Sequence, residues 1–140
     1  MASLPSDIPI RAVDAAGGEH ECRITCDVAG RAYHLTAIVD RGEPLSVEAG
    51  DCFEGLRLIR RQLDRENLRL CCAGARRDVW SSGMQRDMGM GLTAYVLTVP
   101  RTEQRPPVVG IFDAAETDTV ATVADQEAFY QEWLASPRDA

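Results

Sequence analysis

The sequence predicts one α+β domain, an antiparallel or mixed sheet of about five strands in the order β-β-α-β-β-β-α with both helices on one face. Three observations predict it. Five segments carry apolar residues in alternation or as a short run, and two carry them at helical spacing behind a capping residue. The chain is 140 residues long with 45% hydrophobic and 26% charged content, which suits a single globular core without internal repeats.

The elements follow in order. Residues 1–18 hold two prolines, Pro5 and Pro9, among Asp, Ala and Gly, so a poorly ordered or edge-hugging lead segment is expected, with the domain proper at 19–140. From Glu21 to Val28, Cys22, Ile24, Cys26 and Val28 share one face and Glu21, Arg23, Thr25 and Asp27 the other, a half-buried strand. Ala29, Gly30 and Arg31 form a turn, and Tyr33, Leu35, Ala37 and Val39 complete an antiparallel hairpin. Asp51 caps a helix, with Glu54 three residues on and Cys52, Leu56, Ile59 and Leu63 inward; Asn67 closes it. Its other face, Arg57, Arg60, Arg61, Asp64 and Arg65, reads as solvated surface rather than a basic docking stripe. Leu68–Cys72, Gly91–Val99 and Val108–Phe112 read as strands, and 100–107 as a polar turn. Thr122 caps a final helix ended by Pro137, whose Phe129, Tyr130 and Trp133 form a core-facing stripe.

The run from Cys71 to Tyr95 does not fit a plain connector. Connections in compact domains need about 4–6 residues, and longer ordered ones tend to be functional. This one packs four glycines, three methionines, three arginines and Trp80 between two strands. Glycine lets a backbone turn or approach closely, and methionine supplies adaptable apolar surface. The candidate binding residues are therefore Arg76, Arg77, Asp78, Trp80, Ser82, Met84 and Met88, the types that dominate interface energetics. Asp113 and Glu116, with Asp118, Asp125 and Glu127, form a candidate acidic patch.

Composition narrows the function classes. The formal charge is −7 and all fifteen cationic residues are arginine, which codon bias in a GC-rich genome produces without a phosphate-binding role. Nucleic-acid binding needs a clustered cationic excess, so none is expected; complementary charge instead favours a basic protein partner. The N-terminal residues lack the pattern of a secretory signal and no later run is long enough to span a membrane, so a cytoplasmic location is expected.

No metal or other cofactor is expected. Cys22 and Cys26 on one strand lie roughly 13 Å apart, Cys71 and Cys72 point to opposite faces, and no C-x-x-C pair exists. The five cysteines read as small buried hydrophobes. No catalytic residue is assigned. Cys52 at a helix start and Cys72 near Arg76 and Arg77 read as packing, His20 and His34 name no base, and the G-x-S-x-G elbow is absent. MGMG lacks the lysine of a Walker loop and precedes a strand where a dinucleotide fingerprint needs a helix.

The strings GARRDVWSSGMQRDMGMGLTAYVLT, VVGIFD and TVADQEAFYQEWLAS resemble a family of small bacterial single-domain proteins, some encoded beside secreted polymorphic toxins as candidate immunity proteins. The resemblance spans Cys52 to Ser136 and brings no catalytic residue. It implies a protein-binding module that blocks a cognate toxin domain by occlusion. The competing expectation is a small enzyme or small-molecule binder using the Gly/Met/Arg-rich loop 74–91, and a third is that the loop only completes the core.

Overall fold

The computed structural model describes residues 4–102 and 104–137, and it is an α+β domain. β2 (Glu19–Ala29) and β3 (Ala32–Val39) form the expected hairpin, with Gly30 at φ 64° supplying the left-handed turn residue. Their register pairs Cys22 with Val39, Ile24 with Ala37 and Cys26 with Leu35, so the alternating apolar residues share one face. Cys22, Ile24, Cys26, Leu35 and Ala37 are all buried, whereas Val28 at the hairpin tip is exposed.

Two strands flank this hairpin that the sequence reading leaves out. β4 (Leu45–Ala49) pairs with β3, and β1 (Ile8–Val13) pairs with β2. The lead segment is thus corrected from 8 onward: β1 lies inside the sheet, between β2 and β5 (Arg69–Leu70), with Ile10 and Ala12 buried. Pro9 is tolerated there although it lacks an N–H. Residues 1–3, which the lead segment also included, and 138–140 lie outside the described residues. The antiparallel order is β4-β3-β2-β1-β5.

α1 (Cys52–Asp64) starts as its sequence predicts, the Asp51 carboxylate accepting from the Glu54 N–H at 2.9 Å. It packs on β3, β4 and β5. Gly55 allows the approach, since a Cβ there would stand 2.7 Å from Leu35 Cδ1. Asn67 leaves the helix in the left-handed region, φ 57°.

A single sheet was expected, and the remaining strands form a second one. β6 (Val79–Trp80), β7 (Thr93–Val96) and β8 (Val108–Gly110) make a three-stranded antiparallel sheet in that order. Between β6 and β7 stands a third helix, α2 (Gly83–Met88), and α3 (Val123–Ala135) lies on α1 and β6, so the two expected helices do not share one sheet face. One hydrophobic core still runs through both sheets, from Ile10 and Cys22 through Leu56 and Ile59 to Ala94, Ile111 and Val120.

The polar face of α1 is corrected in two positions. Arg61 and Arg65 are exposed as expected, but Arg57 and Arg60 are buried, 7% and 2% exposed, because α3 and the turn at Ala73–Ala75 cover that side. Asp64, on the same face, accepts from the Val123 N–H at 2.9 Å and so holds the start of α3.

Candidate functional site

The run from Cys71 to Tyr95 divides into an anchored first limb and an exposed second. The first limb is fixed by Gln126, fully buried on α3, whose side-chain amide donates to the carbonyls of Gly74, Arg76 and Val79, each at 2.9 Å. Its Oε1 accepts from Arg60, which also donates to the Ala121 carbonyl at 2.9 Å and, at longer range, to Gly74 and Ala75. Buried carbonyls without a strand partner need such donors. Burial pulls the Arg60 guanidinium down to about 10, which leaves it charged at neutral pH. Gly74 belongs to the same packing, because a Cβ would stand 2.7 Å from Leu56 Cδ2 and 2.9 Å from Ile111 Cβ.

Arg76 and Arg77 do not converge. Arg76 makes a two-point bond to Asp78, Nε at 3.0 Å and Nη2 at 2.9 Å, so these two candidate residues neutralise one another. Arg77 turns the other way and lies over Phe129, 4.6 Å from the ring centroid. Trp80 is half-buried and belongs to the packing: its ring meets the Phe53 edge at 5.3 Å, stacks on Tyr130 at 4.2 Å and carries Arg57 at 4.9 Å. Arg57 in turn bonds Glu54 and Glu127, at 2.9 and 3.3 Å, while its Nε is buried without a partner.

The second limb begins at Ser82, which is spent on a reciprocal cap with Gln85: the Gln85 N–H donates to Ser82 Oγ, and Gln85 Oε1 accepts from the Ser82 N–H. Arg86 pins α2 back onto α1 through Asp51 at 2.9 Å and Glu54 at 3.2 Å. What α2 leaves outward is Met84 and Met88, 73% and 78% exposed. The helix buries none of its residues.

Beside Ser82 runs a groove of about 640 Å³, lined by Tyr95, Leu97, Arg101, Arg105 and Trp133 among others. Arg101 lies over the Trp133 ring at 4.1 Å. Ser82 is the one candidate residue that lines it; Arg101 and Arg105 carry no sequence signal because 100–107 reads as a polar turn, and the pairing of an arginine there with an aromatic on α3 has no local signal. Val99, Val108 and Leu134, all exposed large apolar residues, are chain neighbours of the groove lining.

The acidic candidates are dispersed. Asp113 accepts from the Gly110 N–H at 2.9 Å and Glu127 bonds Arg57, while Glu116 lines a separate hollow of about 440 Å³ with Arg11, Cys71 and Arg76. Asp118 and Asp125 are exposed.

The cysteines sit in the core. Burial pushes the Cys22 thiol up to about 12 and the Cys72 thiol up to about 11. Cys26 and Cys52 share a hydrogen bond that raises Cys26 and lowers Cys52, but both are sealed from solvent, 2% and 0% exposed. Among the described residues no group of three or more His, Cys, Asp or Glu side chains is gathered to hold a metal ion. Nor is any helix among them long and apolar enough to cross a membrane.

The α3 stripe is corrected as well. Phe129, Tyr130 and Trp133 are only partly buried, and the helix seals just Val123 and Gln126. Phe129→Ala and Trp133→Ala should therefore each cost about 1–2 kcal/mol by urea denaturation, below the 3–5 kcal/mol typical of core aromatics. A loss in the core range would mean that these rings carry more of the core than their exposure indicates.

No protein-family model matches the chain, and no curated protein matches it.

Proposed function

We propose that this chain is a cytoplasmic protein-binding module of the immunity type, acting by occluding a toxin domain, with α2 as the centre of its contact surface. The carrying observation is the pair Met84 and Met88, the two most exposed large hydrophobic side chains among the described residues, held on a helix that Arg86 fixes to α1. Large apolar side chains kept in water on a pinned element mark an interaction surface, and methionine adapts its shape to a partner. The groove beside Ser82 continues this surface with Tyr95, Trp133 and Arg101, residue types enriched in contact regions. A net charge of −7 favours a basic partner by steering its approach. The small-molecule reading of loop 74–91 has less support, because Arg76 is closed on Asp78 and Arg77 faces Phe129.

Affinity capture from the native bacterium with the tagged protein tests the reading. Met84→Ser with Met88→Ser should weaken capture by at least about tenfold, or about 1.4 kcal/mol. The same variant should change folding stability by no more than about 0.5 kcal/mol, as exposed substitutions do. Capture should also weaken as salt is raised. Undiminished capture by the double variant removes α2 from the interface, and unfolding would place it in the core.

A further inference from the structure

The β1–β2 turn and the β3–β4 connection meet at one side chain far from α2 in sequence. His20, at the start of β2, has Nδ1 2.6 Å from Asp40 Oδ2 and Nε2 2.8 Å from Asp14 Oδ2. Each carboxylate is braced by backbone on its other oxygen: Asp14 Oδ1 accepts from Ala16 N–H at 3.0 Å and Gly18 N–H at 2.8 Å, and Asp40 Oδ1 accepts from Glu21 N–H at 3.1 Å. Gly18 makes room for this, since a Cβ there would stand 2.6 Å from Asp14 Oδ2.

A neutral imidazole has one N–H and one lone pair, so it can donate to one carboxylate only, and its lone pair then opposes the other. Two ionised carboxylates on opposite ring edges require the imidazolium. The same opposed geometry rules out a shared metal, because the two ring nitrogens point away from each other. We propose that His20 is a protonation-dependent latch, tying the β1–β2 turn to the β3–β4 connection when charged and releasing one of them when neutral.

The released segment has somewhere to go. Asp40 and Arg41 both hold left-handed backbone, φ 50° and 60°, a region aspartate visits readily but an arginine rarely does, so the segment at Arg41 is held by its surroundings. Both also line a trough of about 1000 Å³ together with Glu21 and Arg23, so opening the latch reshapes that face. The other charges around the latch are engaged or solvated. Arg11 bonds Glu19, Arg23 bonds Glu21 and Asp7, and Arg41, Arg69 on β5, and Arg65 and Glu66 after α1 are exposed. Only Asp14 and Asp40 act on the imidazole, Asp14 first, raising it above its usual 6.5 against the opposing effect of burial. Both carboxyls are lowered below their usual 3.8, chiefly by the hydrogen bond from His20.

The signs set the working range. A raised imidazole stabilises fully below 6.5 and loses that contribution as pH rises through its folded value; the lowered carboxyls contribute above 3.8 and lose theirs as pH falls through their folded values. The latch is closed between these limits and opens on the alkaline side.

A proton–carbon NMR titration of the two histidine rings, assigned with His34→Gln, tests this on the parent protein. The His20 midpoint is expected above 6.5, and the amide signals of Ala16 or Gly18 on one side and Glu21 on the other are expected to move with it. Asp14→Asn and Asp40→Asn should each bring the midpoint back toward 6.5. A parent midpoint at or below 6.5 overturns the proposal, and so does a ring that titrates while both sets of amides stay still. If either Asn variant fails to fold, the parent titration decides alone.

Discussion

Gln126→Leu should bring the protein close to unfolding, with a loss on the order of 4 kcal/mol by urea denaturation. The substitution removes the two amide N–H donors shared among the carbonyls of Gly74, Arg76 and Val79, and the acceptor that faces the buried Arg60 guanidinium. Gly74 keeps Arg60 and Arg76 keeps the Val79 N–H, so the Val79 carbonyl and the Arg60 charge lose most. Each buried polar group left without a partner costs about 1–3 kcal/mol, and a domain of ordinary stability has only about 5–15 kcal/mol in all. Arg60→Met should cost a similar amount, since it strands the Ala121 carbonyl and Gln126 Oε1. Because the two side chains serve one network, the double variant should lose clearly less than the sum of the single losses. A single-variant loss under about 1 kcal/mol would show that water replaces these bonds and that the hub is not structural.

Trp80→Ala is the second large effect, expected at about 2–3 kcal/mol, above Phe129 and Trp133 because this half-buried ring packs against the core and on two other aromatic rings. The ring is a wedge between Phe53 on α1 and Tyr130 on α3, with Arg57 across its face, and α3 has few other attachments besides Gln126, Asp64 and the contacts of its aromatic side. Hydrogen exchange should show α3 losing protection ahead of the five-stranded sheet in this variant. Trp80→Phe should restore most of the loss. Equal protection of α3 in the parent and the Ala variant would place the helix's anchorage elsewhere.

These two residues show where local pattern stops being informative. Arg60 lies on a helix face whose composition, Arg57, Arg60, Arg61, Asp64 and Arg65, is that of a solvated surface. Its burial follows from a turn and a helix supplied by residues 73–75 and 123–135, more than ten positions away, whose free carbonyls need a donor. The α3 aromatics err in the opposite direction: their spacing is that of a core stripe, but they remain half-buried, Tyr130 stacking on Trp80 while Phe129 and Trp133 carry Arg77 and Arg101. β1 was missed because Pro5 and Pro9 mask an alternation that only pairing with β2 and β5 makes worthwhile.

At the candidate site, residue type was legible and convergence was not. Methionine and arginine in a long glycine-bearing segment marked the stretch from Cys71 to Tyr95, and Met84 and Met88 do face solvent. That Arg76 closes on Asp78, that Arg77 leaves for Phe129, and that Trp80 serves the packing depend on partners the chain brings from elsewhere.

The features written in the chain itself are those decided within a few residues. They are the Asp51 and Thr122 caps, the turn at Gly30, the helix stop at Asn67, and the alternation that puts Cys22, Ile24 and Cys26 inward. Each is a short-range steric or hydrogen-bonding preference, satisfied by neighbours in sequence. The division into two sheets, the buried Arg60–Gln126 hub and the exposure of α2 were settled by folding. They arise from satisfying buried polar groups and filling one core with segments far apart along the chain, and no local pattern encodes which distant partner arrives.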